Sequence, residues 1–160
     1  MDSQPLITND AIAFRDALPD GGVLLALDLG TQTIGTAFCD PGWRFATAGK
    51  TLPRGKFGKD RLALEALVAA RTVKGVVIGL PLNMDGSSGP RAQASRAYAR
   101  NLAVLGLPIL LWDERWSTAS AERDMIAQDT SRRRRAERID SHAAAVFLQG
   151  AIDRLAGGLF

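Results

Sequence analysis

The sequence predicts one α/β domain, a mixed β-sheet with helices on both faces, and two observations carry that prediction. Three apolar segments, residues 23–29, 33–39 and 44–51, follow one another through links so short that we expect antiparallel neighbours. Beyond residue 59, helical and buried-strand patterns alternate, which is typical of parallel strands joined by helices. The length of 160 residues suits a single domain.

Each element has its own signal. The segment VLLALDL at 23–29 is almost wholly apolar, as expected of a strand buried on both faces. The turn Asp40-Pro41-Gly42 separates the second strand from the third. Apolar spacing predicts the remaining elements, with helices at 60–73, 93–105, 117–127 and about 137–155, and strands at 76–80 and 109–112.

The first 22 residues are interpreted as an extension ahead of a domain at 23–160. Thr8 or Asn9 can cap a short helix there, before a turn rich in proline and glycine. The extension lacks the basic and apolar regions of a signal peptide, and no apolar stretch reaches the ~18 residues that cross a bilayer. We therefore expect a cytoplasmic protein without a membrane segment. The single cysteine, Cys39, lies in an apolar run and is expected to be buried.

Positive charge is concentrated in one place. The net charge is only +3, from 20 basic and 17 acidic residues, but four arginines form one run: Arg132, Arg133, Arg134 and Arg135. We expect this run to lie in an exposed loop. A basic segment beside scattered acidic residues suits a polyanion such as nucleic acid. A run of solvated charges is the equally simple alternative.

The strongest candidate for chemistry is Asp28, inside the first apolar strand. Aspartate is disfavoured in strand interiors, and burying its charge is costly unless something is gained. Gly30 and Gly35 flank the following turn, so a ligand can approach the backbone closely. A carboxylate placed here is a natural ligand for Mg²⁺ or Mn²⁺. The alternative is a carboxylate that caps the turn.

A second acidic site follows the strand at 109–112, where Asp113 and Glu114 are adjacent. Neighbouring side chains on an extended chain point to opposite sides, so only one of the two can share a centre with Asp28. The other is expected to be structural, for example through a pairing with an arginine.

The third candidate is Asp140, on the last predicted helix. Ala144, Phe147 and Ala151 follow it at helical spacing, so Asp140 shares the apolar face that should pack on the sheet. Stabilisation of the helix end is the alternative role. The single histidine, His142, is offset from this face and is interpreted as a surface or supporting residue.

Carboxylates from two strands and one helix would form an oxygen-rich cage, as phosphodiester hydrolysis with two metal ions requires. The loop at 79–90 adds Ser87 and Ser88, whose hydroxyls and backbone amides can bind a phosphate at a helix N-terminus. Ordinary turn chemistry is the equal alternative for this loop. It is not a Walker A loop, and the sequence has no cysteine–histidine zinc spacing.

Four segments, taken together and in order, resemble the YqgF (RuvX) family, whose members are similar to Holliday junction resolvases and are described as pre-16S rRNA nucleases. They are LDLGTQTIGTA at 27–37, GLPLNMDGSSGP at 79–90, DERWSTASAER at 113–123, and the arginine run with IDSHAAA at 139–145. Two features depart from the family: the extension before residue 23, and Trp116, which stands where a smaller aliphatic residue is usual.

The resemblance implies an RNase H-like sheet of five strands in the order 3-2-1-4-5, counted from the strand at 23–29, with strand 2 antiparallel. It implies that Asp28, Glu114 and Asp140 bind Mg²⁺ or Mn²⁺ and catalyse cleavage. Strands 1 and 5 are not neighbours in this order, so Asp113 stays a candidate beside Glu114. The residues expected to contact nucleic acid are Arg115, Ser87, Ser88, Arg132, Arg133, Arg134 and Arg135.

The implied substrate is the 5′ end of pre-16S rRNA, branched DNA such as a Holliday junction, or both, and the implied assembly is a monomer or a homodimer. Two other functions stay open. A non-catalytic nucleic-acid-binding factor in ribosome assembly or transcription would bind phosphates through the arginine run. Sugar kinases and actin-like ATPases share a D-x-G-T strand-turn, but those folds need two related domains and only one such turn occurs here.

Overall fold

The computed structural model describes residues 5–116 and 132–157, and of residues 132–140 it describes only the backbone. The elements are β1 (Ile7–Thr8), α1 (Ala11–Asp16), β2 (Leu24–Leu29), β3 (Thr33–Cys39), β4 (Ala46–Pro53), α2 (Phe57–Arg71), β5 (Gly75–Leu80), α3 (Pro90–Leu102), β6 (Ile109–Asp113) and α4 (Arg132–Ala156). Short 3-10 turns follow α3 and β6, at Ala103–Leu105 and Glu114–Trp116. The helix predicted at 117–127 lies outside the described residues. None of the helices in the described part is long and apolar enough to cross a bilayer.

The strands form one mixed sheet in the order β1-β6-β5-β2-β3-β4. β3 is antiparallel to both β2 and β4, whereas β2, β5, β6 and β1 are parallel. Counted from β2, this is the predicted order 3-2-1-4-5 with an antiparallel second strand. The structure adds a sixth strand to the five predicted, because β1 pairs along β6 with Ile7 opposite Ile109.

The N-terminal extension is built into this fold. Its short helix is present as α1, but the N-cap is Asp10 rather than Thr8 or Asn9, and Asp10 Oδ1 accepts the N–H of Ile12 at 2.9 Å. Phe14 of α1 is fully buried in the core. The extension therefore contributes both a strand and core packing.

Two hydrophobic cores lie on opposite faces of the sheet. On one face, α1 and α4 cover alternate residues of the central strands, among them Leu24, Ala26 and Val77. On the other face, α2 and α3 cover the intervening residues, among them Leu25, Leu27 and Ile78. Each central strand is thus buried on both faces, which explains its continuous apolar sequence. Cys39 is buried, as predicted.

Helix α4 begins earlier than predicted. The expectation that the arginine run lies in a loop was wrong, because its backbone forms the first turn of α4 (Arg132–Ala156). Arginine has a good intrinsic helix propensity, so four in succession do not oppose a helix. The predicted apolar stripe is confirmed, since Ala144, Phe147 and Ala151 are all 0% exposed.

Candidate active site

Asp28 is buried on the face of the sheet that α4 covers, with 3% of its surface exposed. The preceding residue, Leu27, belongs to the opposite core, so alternation along β2 places Asp28 on the α4 side. Asp28 pairs with Gly35 on the neighbouring strand β3. On its other side the pairing of Leu27 with Ile78 brings Gly79 of β5 next to it. Neither neighbouring strand presents a Cβ atom beside the carboxylate.

Glu114 reaches the same face from the far side of β5. It begins the 3-10 turn after β6 and is 7% exposed. Its Oε1 lies 3.1 Å from the position that a Cβ on Gly79 would occupy, and Cε2 of Phe147 in α4 lies 2.9 Å from the same position. β6 and β2 are separated by β5, but the missing side chain at Gly79 lets the Glu114 carboxylate lie against β5, on the face of the sheet that holds Asp28.

Asp113 is held by Arg115. The guanidinium Nη2 donates to Asp113 Oδ2 at 2.6 Å, and Nε and the backbone N–H of Arg115 both donate to Oδ1 at 3.0 Å. Burial acts to raise the pKa of Asp113, but these hydrogen bonds and the charge of Arg115 outweigh it and hold the pKa below its usual value. This agrees with the expectation that one of the two adjacent carboxylates pairs with an arginine.

Arg115 also connects β6 to the loop that follows β5. Its Nη1 donates to the carbonyl oxygen of Met84 at 3.2 Å. Gly86 nearby has φ +89°, a conformation that favours glycine. The guanidinium atoms of Arg115 lie 3.6 and 3.7 Å from the position of a Cβ on Gly86. A single cation therefore fixes the end of β6 against this loop.

The two serines predicted to bind phosphate both have partners within the protein. The Ser87 hydroxyl donates to Asp85 Oδ1 at 2.6 Å and accepts from Asn83 Nδ2 at 3.0 Å. Ser88 Oγ accepts from Nη2 of Arg96 at 3.1 Å. Sequence reasoning missed Arg96, which brings a second positive charge to this loop. A phosphate at the loop would meet Arg96 and Arg115 as well as the serines.

Asp140 is a residue of α4. Its backbone is described, but its side chain is not. The next residue, Ser141, is buried and its hydroxyl hydrogen-bonds to that of Thr51 on β4. Thr51 pairs with Gly35, and Gly35 pairs with Asp28. The helical turn that carries Asp140 is therefore held over the same end of the sheet as Asp28. The side chains of the four arginines at the start of α4 also lie outside the described part.

A second cation that the sequence analysis missed, Arg54, supports the turn after Asp28. Arg54 Nη1 donates to the carbonyl oxygen of Gly30 at 2.6 Å, and its guanidinium carbon lies 5.2 Å from the ring centre of Tyr98. Tyr98 in turn donates to Asp60 Oδ2 at 3.2 Å. Nothing in a single sequence distinguishes Arg54 from other basic residues.

Gly79 was also missed, although the sequence holds a signal for it. An isolated glycine inside an apolar strand, as in GVVIGL, suggests close approach of another group.

Asp28 and Glu114 fit a hard divalent cation. They offer only oxygen ligands, and both carboxylates are largely shielded from solvent. Gly35 and Gly79 on the neighbouring strands leave space beside them for an ion. Among the side chains that the structure describes, no group of three or more acidic, histidine or cysteine residues is placed to hold a metal ion. The predicted third ligand, Asp140, is not among those side chains.

Comparison with solved structures identifies the fold. RuvC of T. thermophilus, in complex with a Holliday junction substrate, superposes with a TM-score of 0.53 and 12% sequence identity. The match covers 85% of this chain and 96% of RuvC. The predicted RNase H-like fold is confirmed.

Sequence comparison identifies the family. The RuvX model, described as Holliday junction resolvase, matches residues 22–154. A protein of Novosphingobium aromaticivorans is 66% identical over 97% of this chain and 100% of its own length. One of Sphingopyxis alaskensis is 63% identical over 94% of this chain and 99% of its own length. Both carry the words pre-16S rRNA nuclease in their names. The chain therefore belongs to the RuvX family of Holliday junction resolvases and is a nuclease.

Proposed function

We propose that this nuclease hydrolyses phosphodiester bonds at a centre formed by Asp28, Glu114 and Asp140, with Mg²⁺ or Mn²⁺ bound there. The observation that carries the proposal is the position of Glu114, which lies across Gly79 on the face of the sheet that holds Asp28. Two carboxylates thereby come to one face from strands that are not neighbours. The turn of α4 that carries Asp140 lies over the same end of the sheet.

The chain's own residues hold and orient the reacting groups. When bound, divalent ions supply charge that stabilises the attacking and leaving oxygens. Asp28 is buried within β2 and Glu114 is buried beside Gly79, so both carboxylates are positioned before substrate arrives. No covalent nucleophile from the protein is required.

Substrate phosphates bind beside this centre. Arg115 and Arg96 bring positive charge to the loop after β5, where Arg115 donates to the Met84 carbonyl and Arg96 to the Ser88 hydroxyl. The run Arg132, Arg133, Arg134 and Arg135 adds charge at the start of α4. Arginine is suited to phosphate because its donors form a planar fork.

The substrate that we propose is the 5′ end of pre-16S rRNA, with branched DNA as a second possibility. The names of the two relatives support the first, and the junction bound to RuvC supports the second. Processing of rRNA would place the protein in the cytoplasm, as a monomer or a homodimer. We assign the nuclease to residues 23–160 and regard residues 1–22 as an extension that completes its sheet.

A cleavage assay tests this function. Purified protein with Mg²⁺ or Mn²⁺ is given three competing substrates: an RNA with an extended 5′ end, duplex DNA and a four-way DNA junction. We expect metal-dependent cleavage that chelation abolishes. Asp28→Asn should abolish cleavage while the circular dichroism spectrum and Tm stay close to those of the wild type, because the substitution keeps the size of the side chain.

Asp16→Asn is the matched control, since Asp16 is exposed at the end of α1 and distant in sequence from the proposed centre. It should cleave as the wild type does. Undiminished cleavage by Asp28→Asn would show that the mechanism is wrong, and cleavage of none of the substrates would favour the binding-factor alternative.

A further inference from the structure

A cleft beside the end of β6 has no role in the function proposed above. It has a volume of about 320 Å³ and is lined by Trp112, Trp116, Gly150 and Arg154. Pockets for small ligands span roughly 300–1,000 Å³, so this cleft suits one small planar group. It begins at the 3-10 turn that also carries Glu114.

Two indole rings form the walls of the cleft. Trp112 is 3% exposed, whereas Trp116 is 57% exposed, and their ring centres are 5.1 Å apart at an angle of 84°. Gly150 keeps the floor open, because a Cβ there would lie 3.3 Å from Cζ2 of Trp112. The buried ring thus supports the exposed one, which offers a large aromatic surface to solvent next to the active centre.

Positive charge at the cleft points to a ligand that carries negative charge. The buried ring of Trp112 also has a donor, Nε1, without a hydrogen-bond partner among the described residues, which is rare for a buried donor. Arg154 is exposed, and Arg15 of α1 lies with it around an adjoining hollow. Neither arginine forms an ion pair within the described residues.

We propose that this cleft binds one unpaired base of the substrate strand, stacked on Trp116, with the neighbouring phosphates at Arg154 and Arg15. A nucleobase supplies an aromatic face and hydrogen-bond acceptors, and single-stranded nucleic acid is commonly bound by aromatic side chains interleaved with positive charge. The inference rests on the proposed function, because it makes the cleft a subsite next to the cleaved bond.

The cleft is close in the chain to the proposed metal ligand. Glu114 begins the 3-10 turn after β6 and Trp116 ends it, so a base bound at Trp116 would flank the proposed site of cleavage.

Binding measurements test the inference apart from catalysis. In full-length Asp28→Asn protein with Mg²⁺, affinity for a fluorescent single-stranded oligonucleotide is measured by anisotropy. Trp116→Leu should weaken binding by roughly ten-fold or more, whereas Trp116→Phe should retain most of it. Phe45→Leu is the matched control, because Phe45 is 72% exposed and lies on the far edge of the sheet, and it should bind unchanged.

Oligonucleotides with one abasic position, placed in turn along the strand, test the stacking itself. At one abasic position, the affinity of the protein that contains Trp116 should fall by a similar factor. The affinity of Trp116→Leu should be the same for that abasic strand as for the intact strand. Tryptophan fluorescence should be quenched by the intact strand only when Trp116 is present.

Equal affinity of Trp116→Leu and its parent, or an abasic penalty that persists in Trp116→Leu, would overturn the inference. A lower Tm of Trp116→Leu with unchanged binding would also overturn it and would assign Trp116 to packing against Trp112. Cleavage by the Asp28→Asn protein would instead contradict the proposed mechanism, so the two failures are distinguishable.

Discussion

The carboxylate of Glu114 occupies space that exists only because residue 79 is glycine, with Oε1 3.1 Å from where a Cβ of Gly79 would lie. Cε2 of Phe147 in α4 lies 2.9 Å from the same point, so both the carboxylate and the helix depend on the missing side chain. The geometry of the acidic site therefore depends on a residue that has no functional group.

Gly79→Ala should disable the enzyme without removing any ligand. The added methyl would push Glu114 and Phe147 apart, and overpacking of this kind typically costs ~1–3 kcal/mol of stability. We expect cleavage to fall by ten-fold or more, on the order of what a 1 Å misplacement costs. Cleavage kinetics and urea unfolding measure the two effects.

Gly58→Ala is its control, since a Cβ on Gly58 in α2 would meet nothing within 4 Å. The free energy of unfolding should rise by up to ~1 kcal/mol, because alanine is the better helix former. Full activity of Gly79→Ala would contradict the assigned position of Glu114.

Arg54→Ala should lower kcat more than it raises KM. Arg54 holds the carbonyl of Gly30, two residues after Asp28, so its loss frees the turn that follows the proposed metal ligand. Arg71→Ala is the matched variant: Arg71 lies 4.5 Å from the ring centre of Phe38 and has the same kind of cation–π contact, but it is on α2. We expect the two variants to lose similar amounts of stability, but only Arg54→Ala to show a fall in kcat. That result would confirm that Arg54 positions the turn after Asp28.

Arg115→Gln should destabilise the protein in a pH-dependent manner. Because the pKa of Asp113 is lowered in the folded protein, the stabilisation that it provides is present above the unfolded pKa of ~3.9 and is lost as the pH falls through the folded value. The difference between variant and wild type in free energy of unfolding should thus be largest near neutral pH and shrink in acid. Denaturant unfolding across that range measures it.

Arg61→Gln provides the comparison for Arg115→Gln. Its partner Glu65 is one helical turn away, and the two side chains are 45% and 41% exposed. An exposed pair of this kind contributes ~0.3–0.5 kcal/mol, so little change with pH is expected from Arg61→Gln.

Phe14→Ala should show that the N-terminal segment stabilises the whole domain. Phe14 is 0% exposed, and truncation of a buried phenylalanine costs ~3–5 kcal/mol. Ile12→Ala, on the same helix but 51% exposed, should cost little. Thermal unfolding of both variants measures the difference. Equal changes in Tm for Phe14→Ala and Ile12→Ala would show that α1 does not unfold together with the rest of the domain.

Cys39 should resist alkylation in the native state. Burial raises the pKa of its thiol to about 11, so the reactive thiolate is scarce near neutral pH. Mass spectrometry after treatment with iodoacetamide should show no modification of native protein and full modification in denaturant. Rapid modification of native protein would contradict the burial of β3.

Much of this fold was predictable because burial leaves a periodic pattern in the sequence. Asp28 was conspicuous inside an apolar strand, and the stripe of Ala144, Phe147 and Ala151 marked the packed face of α4. β1 was not predictable, since two residues have no period and their pairing depends on β6, which is distant in sequence.

The candidate site was harder to predict than the fold. That Glu114 can approach Asp28 depends on the register of β5 between them and on Gly79, neither of which is local in sequence. The contact of Arg54 with Gly30 likewise joins residues 24 positions apart. The roles of Asp28, Glu114 and Asp140 stay predictions until the cleavage assay is done.

The pairing of β1 with β6 also affects how the protein behaves at high concentration. β6 leads directly into Glu114, and in the described part of the chain it has hydrogen-bonded strands on both sides. Without β1 it would be an apolar edge with open backbone donors and acceptors, a template for aggregation by strand addition. A two-residue border strand leaves little for another molecule to extend, so the extension protects the strand that leads into Glu114 from self-association.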